Sequence, residues 1–139
     1  MPLSGVWYNQ LGSKMELTLQ NGQVSGTYES SVGAAAGKGP YKLSGRTDTD
    51  QDLESQNIGF TVSWENDKGS LDSVTSWSGQ MQTIEGKEII STFWILTIET
   101  KADVNWKSRL IGSDRFGRSK PSATDVDLAL KLGPASHPL

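Results

Sequence analysis

Met15-Glu16-Leu17-Thr18-Leu19-Gln20-Asn21-Gly22-Gln23-Val24-Ser25-Gly26-Thr27-Tyr28-Glu29-Ser30 decides the fold class. Met15, Leu17 and Leu19 alternate with Glu16, Thr18 and Gln20, the period-two pattern of a strand with one face in a core. Asn21-Gly22 follows at once, and both residues tolerate the positive φ of a type I′ turn, so the chain is expected to double back as a hairpin. The returning strand, Gln23 to Ser30, puts Val24, Gly26, Tyr28 and Ser30 on one face.

The same rhythm extends in both directions. Upstream, Gly5 to Gln10 reads as a first strand with Trp7 and Asn9 on one face, closed by a turn at Leu11-Gly12. Downstream, Ser31 to Pro40 carries Gly33, Ala34, Ala35, Ala36, Gly37 and Gly39 and reads as a flexible loop. Tyr41 to Thr47 is the next strand, and from Asn57 onward Phe60, Val62 and Trp64 share a face up to a turn at Glu65 to Gly69. Ser73 to Gln80 places two hydroxyls, Ser73 and Thr75, beside Trp77 and Gly79, a face with directional donors next to a flat apolar wall. Glu88 to Glu99 aligns Ile90, Thr92, Trp94 and Leu96, and a final long strand is expected from about Val104 to Phe116. Residues 1–121 are thus expected to form one domain. The tail, 122–139, is expected to begin as a short helix near Ser122 to Asp125, to stop at Gly133-Pro134 and then to be disordered.

Composition narrows the function. A net charge of −3 and a pI near 5.1 argue against nucleic acid as a partner. No apolar run approaches the roughly 20 residues of a membrane span, so a soluble chain without membrane contact is expected. The first residues, Met1-Pro2-Leu3-Ser4-Gly5, lack a basic segment followed by an apolar one; the chain is expected to be mature or never to have carried a signal, leaving secretion and cytoplasm both open. There is no cysteine, and the one histidine, His137, lies in the tail, so neither thiolate nor imidazole chemistry is expected and no metal or cofactor is called for. Gly33 to Lys38 is one residue short of a phosphate loop, and Asp48 to Asp52 resembles the start of a calcium loop but has Leu53 where glycine is needed.

Roughly eight antiparallel strands joined by short connections leave exposed edges unless the sheet closes, so an up-and-down β-barrel with room for one small ligand is expected. Its inward faces would pool Asn9, Tyr28, Ser30, Trp64, Ser73, Thr75, Trp77, Trp94 and Asp114. An unpaired buried polar group costs about 1–3 kcal/mol, so this concentration implies that something else completes the hydrogen bonds. Singly, Asn9 and Ser13 are also ordinary turn residues, Tyr28 an ordinary strand residue and Asp114 an ordinary capping carboxylate. Their joint placement is what those readings leave unexplained.

Gly5-Val6-Trp7-Tyr8-Asn9-Gln10-Leu11-Gly12-Ser13, Gly26 to Ser30, Val62 to Asn66, Thr75 to Gln80 and Trp106-Lys107-Ser108-Arg109-Leu110-Ile111-Gly112-Ser113-Asp114 resemble, in order and spacing, the avidin and streptavidin family. The resemblance runs from about Gly5 to Pro121 and implies an eight-stranded barrel that binds biotin tightly and is not an enzyme. It implies that Asn9, Ser13 and Tyr28 donate to the ureido oxygen, while Ser30 and Asp114 accept the ureido N–H groups. Thr75 would face the sulfur, and Ser73 and the backbone of Ala34 the carboxylate. Trp64, Trp77 and Trp94, with Leu96 and Phe116, would box the ring and chain, and Trp106 would come from a neighbouring subunit. Ala34 stands where streptavidin has asparagine, but the contact there is made by the backbone. Trp7 is read as barrel core or base. A homo-oligomer is implied, a tetramer rather than a dimer; Ile111 suits a barrel-to-barrel contact, and Arg109 on the same face would need a carboxylate such as Glu99. The alternative is a lipocalin-like carrier of another small apolar ligand, for which an aliphatic lining with fewer converging donors is expected.

Overall fold

The computed structural model describes residues 3–132. Its strands are β1 (Gly5–Tyr8), β2 (Lys14–Gln20), β3 (Gln23–Glu29), β4 (Tyr41–Thr47), β5 (Gln56–Asn66), β6 (Gly69–Ile84), β7 (Lys87–Ile98) and β8 (Arg109–Gly117). Each pairs antiparallel with its neighbour in sequence, and β8 returns to β1, so the sheet is a closed eight-stranded barrel without free edges.

The deciding hairpin forms as its sequence dictates. Asn21 and Gly22 take φ of 51° and 80°, and Gln20 pairs with Gln23 across them. That register sets Met15 opposite Tyr28 and Leu17 opposite Gly26. Gly26 is required there because a Cβ would run into the carbonyl oxygen of Glu16. Further round the wall, Phe60 pairs with Trp77, Trp77 with Trp94 and Thr92 with Asp114, so one band of the interior receives large rings and one carboxylate side by side.

Trp7 belongs to the base of the barrel. Its indole donates to the Leu3 carbonyl at 2.9 Å, and the Arg118 guanidinium lies 3.6 Å from its ring centroid. Arg118 also binds Glu88 at 3.1 Å and the carbonyls of Ser4 and Val6, tying the end of β8 to β1.

The strand expected from Val104 begins only at Arg109. Residues Ala102–Lys107 form a 3₁₀ helix instead, in which Val104 N–H donates to Lys101 and Ser108 N–H to Asn105. None of those helical residues is buried, so the strand preference of Val104 had no packing to act through. β1 likewise stops two residues before Gln10. The Asn9 side chain captures the N–H groups of Leu11 and Ser13 and pulls the backbone into a turn.

The small-residue loop is more organised than its composition suggests. Ala36 N–H donates to Gly33 and Lys38 N–H to Ala35, with Ala35 fully buried. One end is tied to the β1–β2 loop by Ser31 Oγ donating to Leu11, the other by Asn66 and Lys68 donating to the carbonyls of Lys38 and Gly39. After the barrel, α1 (Ala123–Leu132) starts with Ser122 Oγ accepting the Asp125 N–H at 3.1 Å. A side chain at Gly12 would touch Val126 and Pro121, so α1 sits against the β1–β2 loop. Gly133-Pro134, the disorder expected beyond them, and His137 lie outside the described residues. No helix among the described residues is long and apolar enough to cross a membrane.

Candidate functional site

The polar groups gathered inside one end of the barrel can be assigned donor or acceptor roles from their partners alone. Asn9 Oδ1 accepts two backbone N–H groups at 2.9 and 3.0 Å, which fixes the amide; its Nδ2 therefore faces inward, 3.4 Å from both the Tyr28 hydroxyl and Asp114 Oδ1. Ser13 Oγ accepts the Ser31 N–H, which leaves its hydroxyl in the donor role beside the Tyr28 phenol. Ser30 has the opposite polarity: its hydroxyl gives its proton to the Val32 carbonyl at 2.7 Å, so its oxygen can act only as an acceptor. Thr75 Oγ1 accepts from the Trp64 indole at 2.8 Å and retains its proton. Ser73 Oγ and the Trp94 indole nitrogen are buried without a hydrogen-bond partner.

Asp114 is the charged centre of this set. It is 3% exposed; Oδ2 accepts the Trp77 indole N–H at 2.8 Å, and Oδ1 accepts from Gln10 at 3.0 Å and more distantly from Asn9. Burial raises its pKa from the ordinary 3.8 to about 6, outweighing the three donors, which favour the carboxylate. Burial also holds the Tyr28 phenol well above its ordinary value, assisted by the negative charge of Asp114 and opposed by the Ser13 hydroxyl. Near neutral pH the site therefore holds a neutral phenol donor and a mainly ionised carboxylate.

Rings wall the polar cluster. Trp77 stacks on Phe60 with centroids 4.9 Å apart and lies 5.0 Å from Tyr28, while Trp64 meets Tyr28 and Tyr41 edge-on at 5.6 and 5.1 Å. Trp94, Leu96 and Phe116 are buried on the same interior. Asn9, Ser13, Tyr28, Ser30, Trp64, Ser73, Thr75, Trp77, Trp94, Leu96 and Asp114 are thus all buried in one barrel. Ala34 and Trp106 are not: Ala34 is exposed on its loop, and Trp106 is 73% exposed with Lys107 against its ring.

Sequence reasoning passed over Gln10, Tyr41, Phe60 and the hydroxyl of Thr92, which donates to the Asp114 carbonyl at 3.1 Å. The alternation in Tyr41-Lys42-Leu43 and Phe60-Thr61-Val62 already marked the two rings as inward. Nothing local marked Gln10 for its contacts with Asp114 and Arg115, which lie more than a hundred residues away.

The chain matches the Avidin family over residues 1–119. It is 32% identical to avidin of Gallus gallus over 125 residues, 84% of this chain and 77% of that protein. The chain belongs to the avidin family. Afifavidin of Afifella pfennigii is 34% identical over 116 residues, 82% of this chain and 67% of its own length. Fibropellin-1 of Strongylocentrotus purpuratus is 33% identical over 127 residues, which are 86% of this chain but only 11% of that much longer protein. The avidin family is one of binding proteins rather than enzymes, in keeping with an interior built of hydrogen-bonding groups and rings.

Proposed function

We propose that this avidin-family barrel binds biotin non-covalently, with the ureido group at the Asp114 end and the bicyclic ring and chain among the tryptophans. The observation that carries the reading is the burial of donors and acceptors of matching polarity in one cluster. Asn9 Nδ2, Ser13 and Tyr28 bring donor groups to one place, and the Asp114 carboxylate and the Ser30 oxygen bring acceptors beside them. A ureido group presents the complement, one carbonyl oxygen and two N–H groups. Three donors on that oxygen draw charge onto it and strengthen the N–H bonds to Ser30 and the ionised Asp114. Thr75 keeps a proton for the thioether sulfur, and the unpartnered Ser73 hydroxyl, with the Ala34 backbone, serves the carboxylate. Trp64, Trp77, Trp94, Leu96 and Phe116 enclose the apolar part.

The functional unit is a homotetramer in which Trp106 enters a neighbour's site. A tryptophan that is 73% exposed is costly to leave in water. On the outer wall, Ile95 pairs with Ile111 and stands beside Phe93, which is 78% exposed, forming an apolar face for barrel-to-barrel contact. Displacement of a chromogenic dye from the barrel by biotin, but not by a fatty acid or retinoid, tests the reading against a general apolar carrier. Failure of biotin to displace the dye overturns it.

A further inference from the structure

The thinnest part of the wall is the seam between β1 and β8, where Tyr8 opposite Gly117 is the only register pair among the described residues. Just beyond it the chain turns away at Asn9, and β8 from Ser113 to Arg115 faces a loop instead of a strand. The Gln10 side chain spans that gap. Gln10 Oε1 accepts the Arg115 backbone N–H at 2.9 Å, and Gln10 Nε2 donates to Asp114 Oδ1 at 3.0 Å and more weakly to the Ser113 carbonyl at 3.4 Å. The orientation is unambiguous, since a backbone N–H can only donate and so must meet the amide oxygen. A single amide grips three consecutive residues of β8, and the middle one carries the buried carboxylate of the site.

We infer that Gln10 is a positioning residue for ligand binding: from the seam it fixes the direction of the Asp114 carboxylate and holds it in the charged form that accepts a ligand N–H. This deepens the biotin reading and rests on it for the ligand, although the effect on Asp114 exists in the free protein. The groups facing Asp114 are Asn9 and Gln10 from the first loop, Tyr28 from β3, Trp77 from β6 and Thr92 from β7. Of these only Tyr28 titrates, and its phenol stays neutral through the range in which Asp114 ionises. Asn9 reaches the same oxygen only at 3.4 Å, so Gln10 is the closer of the two amide donors to Oδ1.

Two substitutions separate orientation from charge. Gln10→Met removes both ends of the clasp, whereas Gln10→Glu keeps an acceptor for Arg115 but sets a second carboxylate against Asp114. In the free protein, the carboxyl carbon shift of Asp114, followed by NMR against pH, reads the effect without any ligand. The midpoint is expected to rise by roughly one pH unit in Gln10→Met and by more in Gln10→Glu. With biotin, the pH below which dissociation accelerates should rise in the same order, and the Gln10→Glu off-rate at neutral pH should be about tenfold or more above the parent's. A purely structural clasp would raise the off-rate equally at every pH and leave the Asp114 midpoint in place, and that result overturns the inference. Loss of folding in both variants overturns it too, because Gln10 would then serve the seam alone. Absence of biotin binding by the parent chain would instead remove the proposed ligand, while the ligand-free titration would still decide the role of Gln10.

Discussion

Asp114→Asn turns the burial of one carboxylate into a measurable stability difference. In the folded chain the carboxyl titrates near 6; unfolded, it returns to about 3.8. Between those values the unfolded state has released its proton and the folded state has not, so the folded state binds more protons and stability must fall as pH rises. Below about pH 3 both states are largely protonated and the penalty is negligible. Above about pH 7 it is nearly complete. Integration of the two titrations from pH 4 to pH 7 gives a loss of roughly 2 to 3 kcal/mol from this residue. Asparagine cannot ionise, so it abolishes that loss. It also breaks a hydrogen bond, because an amide nitrogen must now face either the Trp77 indole or the Gln10 and Asn9 amides, but that cost is the same at every pH. Urea denaturation of ligand-free parent and variant at pH 4 and 7, at one fixed protein concentration, isolates the titration as a difference of differences. The parent should lose roughly 2 to 3 kcal/mol more than the variant over this interval. A double difference near zero, or of opposite sign, would refute the claim that burial outweighs the donors around Asp114.

Asp114→Ala should weaken biotin binding by roughly 2–4 kcal/mol, since it removes a charged acceptor and also strands the Trp77 N–H; an off-rate within threefold of the parent would remove Asp114 from the site. Trp106→Ala should speed biotin release and weaken subunit pairing together, which stopped-flow release and light scattering behind size exclusion measure on one sample. Ile111→Glu places a charge in the outer apolar face and should lower the oligomer mass while leaving far-ultraviolet circular dichroism unchanged. Gly26→Ala forces a methyl group into the β2–β3 backbone contact and should destabilise the chain by about 1–3 kcal/mol in thermal or urea melts; a neutral result would mean that the strands can separate there at little cost.

The barrel was legible because its signals are local. Alternation in Met15 to Leu19, the Asn-Gly turn and the inward set of Ser73, Thr75 and Trp77 need only neighbouring residues, and each held its face in the folded chain. Trp106 was legible as an exposed indole, yet its local structure was not: Val104 suggested a strand, while Lys101 and Asn105 supplied the carbonyls that wound the segment into a 3₁₀ helix. The site divides in the same way. Trp64, Trp77 and Trp94 follow from strand parity, but the polarity of Ser13 and Ser30 does not. It depends on which backbone group each hydroxyl meets, and those groups lie in the organised loop at Ser31 and Val32. Gln10 is the extreme case, a residue whose meaning appears only when β8 closes on β1.

Calorimetric titration with biotin, followed by a thermal melt of the same sample, tests the central claim most directly. Saturation at one biotin per chain is expected, and because the ligand binds only the folded state, sub-nanomolar affinity at micromolar ligand should add at least about 4 kcal/mol of stability and raise the melting temperature sharply. Titration without heat, together with an unmoved melting temperature, would contradict biotin binding by this barrel.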